Sequence, residues 1–357
     1  MRVQTTAVSL TAIPPQCRPA LFIMSLIPSV VALSDLVSGE QGDCFVLLAT
    51  KDKSQTRDGK PYYRVNFRDC KRTATSMIWS DTGWFADCES KWSVGEFYKV
   101  RCSYSENQYG PQIEIDRIRL VEPADRTQGF NPDEFYEHTR FDTDEMFAEL
   151  VQIAAEQISE KPLSQLVIAL LQEHAELIKR MSAASRNHHA FIGGYLEHVL
   201  SVTRTAVFFA DKYLAYYPEM RPPLSKSLVV AGAILHDIGK TLELDHQPSG
   251  AEYTAAGRLI GHILLGRDMV REQARSIPDL DPETLLRLEH IIVAHHNLPE
   301  WGSPIAPHTP EALLVSIADD TDAKFNMMAK PLEVPLQIGE QFTSRDNPLR
   351  RQLFRGL

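Results

Sequence analysis

The sequence of 357 residues is poor in the features that mark secreted, membrane-spanning and strongly basic proteins. Its five cysteines are odd in number and lack CxxC spacing, which argues against a disulfide framework or a zinc knuckle. That cysteine usage indicates a reducing compartment, so we expect a cytoplasmic protein. No stretch approaches the roughly 20 apolar residues of a membrane span, so no membrane partner is expected. The net charge of -10 excludes a protein that is basic throughout, although a local patch for nucleic acid would suffice for binding.

The first 23 residues are rich in Thr, Pro and Ala and contain no acidic side chain. Their apolar core is too short for a secretory signal, and Met24 begins a more ordinary start. We therefore expect residues 1–30 to be a disordered tail or to follow a misplaced start codon, with a targeting segment as the alternative.

Residues 36–122 have the texture of short strands separated by turns. The motif Asp58-Gly59-Lys60-Pro61 and the pair Tyr109-Gly110 are turn signals, and the apolar residues between them alternate. Five short strands in about 85 residues are typical of a small closed barrel, for which the OB-fold is the obvious candidate. The predicted strands cover residues 44–48, 62–67, 75–79, 95–102 and 112–120.

The second half of the chain is predicted to be all-α. Residues 123–142 are rich in Pro and acidic side chains and are interpreted as a linker. From residue 143 to residue 330 the apolar side chains follow helical spacing, and no strand signal interrupts them. Residues 331–357 are interpreted as a C-terminal tail. The prediction is thus a multidomain protein, with an all-β barrel followed by a helical bundle.

The pair His236-Asp237 ends an apolar run at residues 228–235 that predicts a buried helix. Imidazole and carboxylate groups are both metal ligands, and burying them is costly unless they are paired or bound to a metal. The pair therefore predicts either a metal site or a well-made hydrogen-bond network.

Ten of the twelve histidines lie between His188 and His308, in the helical half. A lone histidine on a helix is usually a satisfied core or surface residue, and we interpret five of them in that way. These five are His138, His174, His246, His290 and His308. Other histidines and aspartates are embedded in apolar helix and together predict one buried polar centre. The candidate ligands are His198, His236, Asp237, His262, His295, His296 and Asp319.

Mixed imidazole and carboxylate ligation suits Mn, Fe, Co or Zn, and more than four ligands suggests two ions. Two ions about 4 Å apart would serve an in-line attack at phosphorus. Lys240 follows His236 by one helical turn and could contact a phosphate oxygen as a point charge. The alternative is that Lys240 only complements the helix dipole at a C-terminus.

The ordered motifs resemble the HD-domain phosphohydrolase superfamily and, more closely, the YhaM family of 3′-to-5′ exoribonucleases, which joins an OB-fold to an HD domain. The HD dipeptide alone is a weak signal, whereas five ordered segments over about residues 36–330 form a strong one. The segments are HHAFIGGYLEHVLSV (188–202), AILHDIGK (233–240), GRLIGHILLG (257–266), HIIVAHHNLPEWGSP (290–304) and EALLVSIADDTDAKFNMM (311–328).

The resemblance implies roles for individual residues. Asp237 and Lys240 would be catalytic, Lys240 through contact with the phosphate. His188 and His189 would touch the substrate, and Asp322 would support the ligands without binding metal. One ion would be held by His198, His236, Asp237 and Asp319, and a second by His262, His295 and His296. The expected cofactor is two divalent ions, with Mn preferred and Co, Fe, Zn or Mg as alternatives. A homo-oligomer is also expected from the family.

The barrel is expected to bind single-stranded RNA or DNA by stacking bases on aromatic side chains beside basic ones. Strand alternation assigns Tyr63, Val65 and Phe67 to one face of a strand and Tyr62 and Arg64 to the other, exposed face. The barrel half matches the family only loosely, so the strand contacts are less well specified than the metal ligands. The candidate contacts in the barrel are Tyr62, Arg64, Arg68 and Trp79.

The favoured function is a metal-dependent 3′-to-5′ exoribonuclease that releases 5′-mononucleotides from single-stranded RNA, with single-stranded DNA as a further substrate. One alternative is an HD phosphohydrolase that acts on a nucleotide or a cyclic dinucleotide. Against it, His295-His296 is followed by Asn-Leu-Pro-Glu-Trp-Gly, without the Gly-Tyr-Pro motif of that branch. A second alternative is a non-catalytic nucleic-acid-binding adaptor, against which the intact ligand set argues.

Overall fold

The computed structural model describes residues 30–183, 189, 191–247, 250–333 and 341–356. The predictions for the N-terminal segment and for His188 lie outside the described residues, as does the side chain of His246.

Five strands close into a barrel in the order β1-β2-β3-β5-β4. Strands β3 and β5 pair in parallel, and the other neighbouring strands pair antiparallel. Every predicted strand is present, and the first is longer than predicted because it pairs with both β2 and β4, with an irregularity between Leu48 and Thr50. A helix that was not predicted, α1 (Phe85–Lys91), lies between β3 and β4. The strands are β1 (Gln41–Gln55), β2 (Pro61–Arg68), β3 (Thr73–Trp79), β4 (Phe97–Asn107) and β5 (Gly110–Leu120).

The alternation predicted for β2 is confirmed. Tyr63, Val65 and Phe67 are buried in the barrel core, whereas Arg64 is exposed on the outer face. The barrel core is a single cluster that also includes buried side chains of β1, β3, β4 and β5. Burying one set of alternating residues leaves the other set on the barrel surface, where it is available for contacts.

The segment at 123–142, predicted as a linker, is packed against the barrel. It contains two short 3-10 helices, Pro123–Gln128 and Pro132–Phe135. Phe130 and Phe135 contact Phe97 of β4, with ring centroids 5.3 and 5.0 Å apart. The aromatic contacts therefore give this acidic, Pro-rich segment a defined path along the barrel.

The remainder of the chain is a helical region around one large apolar core. None of the described helices is both long and apolar enough to cross a membrane. The helices are α2 (Thr143–Gln157), α3 (Lys161–Glu173), α4 (Ala175–Arg180), α5 (Gly194–Tyr216), α6 (Lys226–Leu235), α7 (Lys240–Glu243), α8 (Ala255–Leu259), α9 (His262–Ala274), α10 (Pro282–Ala294) and α11 (Pro310–Glu333).

Helix α6 lies at the centre of this region and is buried along almost its whole length, as its apolar sequence predicts. It contacts α5, α10 and α11, which carry most of the other candidate ligands. The N-terminus of α11 is capped by Thr309, whose Oγ1 accepts a hydrogen bond from Ala312 N at 3.2 Å.

A two-stranded hairpin interrupts the helices, contrary to the prediction that strand signals are absent there. Its strands are β6 (Leu244–Gln247) and β7 (Gly250–Tyr253). Four-residue strands are too short to show a clear alternation of apolar and polar residues, so the sequence pattern could not reveal them.

Two glycines allow α7 and α9 to approach closely. A Cβ on Gly239 would lie 2.0 Å from the carbonyl oxygen of His262 and 2.4 Å from the amide nitrogen of Gly266. Only a residue without a side chain fits there. This contact brings the start of α9, and with it His262, beside the His236-Asp237 turn.

Candidate metal centre

The candidate centre forms where the C-terminal end of α6 meets four other helices. His236 and Asp237 follow the last residue of α6 and are 0% and 2% exposed. His198 comes from α5, His262 begins α9, His295 follows α10 and Asp319 lies in α11. All seven predicted ligands are thus brought together from distant parts of the chain, with His296 beside His295.

The ligand atoms form two adjoining groups. In the first group are His198, His236 and Asp319. In the second group are Asp237, His262, His295 and His296. Within each group the ligand atoms lie within 4.8 Å of one another.

Asp237 lies between the two groups. Its Oδ2 is 3.4 Å from His236 Nε2 and 3.7 Å from His198 Nε2. Its Oδ1 is 3.3 Å from His262 Nε2 and 3.6 Å from His295 Nε2. One carboxylate oxygen therefore faces each group, which is the geometry expected of a ligand shared between two ions.

Each histidine of the centre is oriented by a hydrogen bond from its Nδ1. Backbone carbonyls accept from three of them: Ala233 from His236 at 2.8 Å, Ile292 from His295 at 2.7 Å and Trp301 from His296 at 2.7 Å. Carboxylates accept from the other two: Asp322 from His198 at 2.7 Å and Glu243 from His262 at 3.0 Å. Such outer partners fix the tautomer that leaves Nε2 as a metal ligand.

The inward-facing atoms fit a metal better than a closed hydrogen-bond network. Among the described residues, Nε2 of His236, His262 and His295 and Oδ1 of Asp237 are buried without a hydrogen-bond partner. Buried polar atoms in folded proteins are nearly always satisfied, so a convergent set of unsatisfied ones calls for a bound ion. Histidine nitrogens and carboxylate oxygens without thiolates suit divalent Mn, Fe, Co or Zn.

The charges of the centre depend strongly on one another. Burial raises the pKa of Asp237, but Lys240 and His236 outweigh burial and hold it well below its usual range. Burial lowers the pKa of Lys240, but Asp237, with Oδ2 2.6 Å from Nζ, raises it above its usual value. Lys240 is therefore charged, and it is only 7% exposed.

The two ends of the histidine array differ in pKa. Burial lowers the pKa of His198, but hydrogen bonds to Asp319 and Asp322 outweigh burial and raise it to about 9. Burial, aided by His295, lowers the pKa of His296 to about 4. Because a metal binds the deprotonated nitrogen, uptake at His198 has to release a proton, whereas His296 is already neutral near pH 7.

His189 was expected to touch the substrate, and that role stays a prediction. It is 4% exposed, and its Nε2 is 3.0 Å from Asp322 Oδ2, the oxygen that also accepts from His198 Nδ1. His189, Asp322 and His198 form a third possible metal group, although the two hydrogen bonds give Asp322 a supporting position. The expected supporting place of Asp322 agrees with this geometry.

The candidate strand contacts on the barrel have different surroundings. Tyr62 and Trp79 are cross-strand partners with ring centroids 5.0 Å apart, and Trp79 is 42% exposed. Arg64 on the same strand as Tyr62 is exposed. Arg68, by contrast, donates to the carbonyl of Phe135 and lies over the ring of Tyr136, so it holds the 123–142 segment to the barrel.

Glu243 was missed by the sequence reading. It is 7% exposed, and it accepts hydrogen bonds from both His262 N and His262 Nδ1. Burial raises its pKa, but the contacts with His262 outweigh burial and lower it, so the side chain is a carboxylate. No spacing could reveal this pair, because the two residues are 19 positions apart and meet only through the fold.

Comparison with known proteins defines the class to which this site belongs. A family model described as HD domain matches residues 195–324, which contain all seven candidate ligands. A second model, described as a putative helicase, matches residues 139–246 and overlaps the first. A solved domain of replication protein A from Methanococcus maripaludis aligns at 16% identity and a TM-score of 0.22, over 26% of this chain and 96% of that domain.

Three curated relatives, each a protein named 3′-5′ exoribonuclease YhaM, match most of the chain at 31% identity. The protein of Bacillus licheniformis aligns over 313 residues, 87% of this chain and 94% of its own length. That of Bacillus subtilis covers 83% of this chain and 88% of its own length, and that of Listeria innocua covers 88% and 96%. The chain therefore belongs to the YhaM family of 3′-5′ exoribonucleases.

Proposed function

We propose that this protein is a metal-dependent 3′-to-5′ exoribonuclease that hydrolyses single-stranded RNA to 5′-mononucleotides. The observation that carries the proposal is Asp237, whose two oxygens face two groups of imidazole and carboxylate ligands in a buried site. Family membership supports the reaction class, since the curated relatives are named for this activity.

The residues present would hold two divalent ions, with manganese as our choice. His198, His236 and Asp319 with Asp237 Oδ2 would hold one, and His262, His295 and His296 with Asp237 Oδ1 the other. Bound there, the ions would supply Lewis-acid activation of water and would neutralise the oxygens of the scissile phosphate.

Three side chains of the protein position the candidate ligands for the reaction. Lys240 Nζ holds Asp237 Oδ2 at 2.6 Å, so it fixes the carboxylate and presents a positive charge where a phosphate oxygen would approach. Asp322 and Glu243 hold His198 and His262 in the tautomer that binds metal. The buried surroundings strengthen these electrostatic contacts, because the interior screens charge less than water does.

The barrel gives the enzyme its hold on a strand rather than on a free nucleotide. Tyr62 and Trp79 form a partly exposed aromatic pair, with Arg64 on the same strand as Tyr62. Stacking of this kind tolerates any base and does not need the ribose 2′-hydroxyl, so we propose that single-stranded DNA also binds.

The location and the oligomeric state are further parts of the proposal. A cytoplasmic location fits the free thiols of the described cysteines. A homo-oligomer stays a prediction.

The test uses single-stranded RNA labelled at its 5′ end and incubated with the purified full-length protein and Mn²⁺. We expect a ladder of shortening products, with 5′-mononucleotides identified by mass spectrometry. Asp237→Ala should abolish shortening while the affinity for the strand stays measurable. Hydrolysis of free or cyclic nucleotides with intact RNA would support the alternative phosphohydrolase. Strand binding without metal uptake or hydrolysis would support the adaptor.

A further inference from the structure

The loop that follows His296 anchors a tryptophan at the edge of the metal centre. The carbonyl of Trp301 accepts the hydrogen bond from His296 Nδ1 at 2.7 Å, so its backbone is one hydrogen bond away from a candidate ligand. A Cβ built on the next residue, Gly302, would lie 3.9 Å from His296 Nδ1 and 3.9 Å from Ile263 Cδ1. The loop therefore lies close to His296 and to Ile263, the residue that follows His262 in α9.

The loop has a defined local structure and a second hydrogen bond to His296. Trp301 ends a 3-10 helix, Pro299–Trp301, and Gly302 follows in the left-handed region at φ 101°. Ser303 is 2% exposed, and its Oγ accepts a hydrogen bond from His296 N at 3.0 Å. Two hydrogen bonds thus fix the loop to the two sides of His296, and the position of Trp301 is determined by a metal ligand.

The indole itself is left open. Trp301 is 52% exposed, and Lys324 Nζ of α11 lies 5.5 Å from the ring centroid. Lys324 is held in turn by Asp320 Oδ2 at 2.7 Å. The indole therefore presents a large aromatic surface beside a cation.

We propose that Trp301 is the platform on which the base of the 3′-terminal nucleotide stacks. The proposal rests on the proposed function. When the scissile phosphate lies at the ligand groups around Asp237, the base of the nucleotide being released has to lie at the edge of the centre. Every base has an aromatic face, so stacking accepts all four, as an enzyme that removes successive nucleotides requires. Lys324 adds a positive charge beside the same nucleotide.

The experiment compares two 5′-labelled RNAs that differ only in the last nucleotide, which is adenosine in one and an abasic ribonucleotide in the other. The variants are Trp301→Ala and Trp301→Phe. The control is Phe325→Ala, which removes an exposed aromatic side chain of α11. The first cleavage is measured at low substrate concentration with Mn²⁺. Metal content and thermal stability are checked for every variant.

We expect Trp301→Ala to lower kcat/KM on the adenosine-ended RNA by about 5- to 150-fold, the range for one lost stacking contact. On the abasic RNA the same variant should lose less than about threefold, since that end has no base to stack. Trp301→Phe should recover most of the loss, and Phe325→Ala should change neither rate by more than about twofold.

An equal loss on both RNAs, or no loss on either, overturns the proposal. If Trp301→Ala folds poorly, Trp301→Leu keeps an apolar side chain without an aromatic face and should show the same contrast. Equilibrium binding separates this proposal from the exonuclease assignment. Trp301→Ala should lower the affinity for 5′-AMP by a similar factor and leave the affinity for ribose 5-phosphate unchanged. This result is expected even if the wild-type protein fails to shorten RNA.

Discussion

The barrel and the helical region each bury an aspartate, but the hydrogen bonding of the two carboxylates differs. In the barrel, Asp69 is 7% exposed and accepts hydrogen bonds from the backbone amides of Ser34, Lys71 and Arg72 at 2.7 to 2.8 Å. In the helical region, Asp237 is 2% exposed, and its Oδ1 has no hydrogen-bond partner among the described residues. A buried carboxylate is therefore not by itself a sign of a site. What distinguishes Asp237 is that its unsatisfied oxygen lies among the unsatisfied ring nitrogens of His236, His262 and His295.

The same contrast separates the candidate functional residues. In the barrel, Arg64 is exposed and Tyr62 packs against Trp79, whereas Arg68 holds the 123–142 segment. Those of the helical region are buried, and each one changes the charge of its neighbours. Changes in the helical region should therefore remove the chemistry, whereas changes in the barrel should reduce affinity in steps.

After Asp237, the largest effect is expected at Asp319. Asp319→Asn removes a carboxylate from the first ligand group, so activity should fall by more than the 10- to 100-fold typical of an outer partner of a metal ligand. Bound metal, measured by mass spectrometry, should fall as well. The control is Asp211→Asn in α5, whose side chain is exposed and pairs with Lys226. Equal losses in both variants would contradict the assignment.

A smaller effect is expected at the outer partners of the ligands. Asp322→Asn and Glu243→Gln replace the carboxylates that hold His198 and His262, so each should lower metal affinity by about 10- to 100-fold. Titration calorimetry with Mn²⁺ measures this directly. Activity should return at high metal concentration, because the ligands themselves are intact. A loss that excess metal cannot restore would assign these residues a different role.

Asp69→Asn tests whether the aspartate of the barrel is purely structural. Burial raises its pKa, but the backbone hydrogen bonds outweigh burial and lower it, so the carboxylate stabilises the folded state. The variant should lose about 1–3 kcal/mol of unfolding free energy at pH 7 with no change in bound metal. Because the folded-state pKa is lowered, the wild-type advantage should shrink as the pH falls below about 4. An advantage that grew in acid would contradict this interpretation.

Trp79→Ala should weaken binding of single-stranded RNA by about 1–3 kcal/mol, the cost of one stacking contact. Fluorescence anisotropy with a labelled strand and the inactive Asp237→Ala background measures binding alone. Hydrolysis of a dinucleotide should change much less, since it does not need the barrel. Equal effects on the long and the short substrate would show that Trp79 acts in catalysis rather than in binding of the strand.

The smallest effect is expected at Arg64. If this side chain contacts a phosphate, Arg64→Ala should reduce the slope of log affinity against log salt by about 0.7 for a single strand. Arg68→Ala is the informative comparison, because Arg68 contacts Phe135 and Tyr136, and its removal should lower stability more than salt dependence. The same slope in Arg64→Ala and the wild type would remove Arg64 from the interface.

Much of the fold was predictable because its signals are local. The alternation in β2 identified its buried face, and the apolar run before His236 identified α6. The hairpin of β6 and β7 and the helix α1 were not predicted, since elements of this length are too short to show a clear period. The domain boundaries stay predictions, and the packing of Phe130 and Phe135 could not be read from a segment that looks like a linker.

The sequence by itself determined which residues have the chemistry of metal ligands and which elements carry them, because residue type and periodicity are properties of the chain. Only the tertiary structure decided how they are used. It turned the two oxygens of Asp237 toward separate groups and paired Glu243 with His262. It also buried His189, placed Arg68 against the carbonyl of Phe135 and left the ring of Trp301 exposed. These outcomes depend on which surfaces of distant helices meet, and that is settled by packing rather than by local spacing.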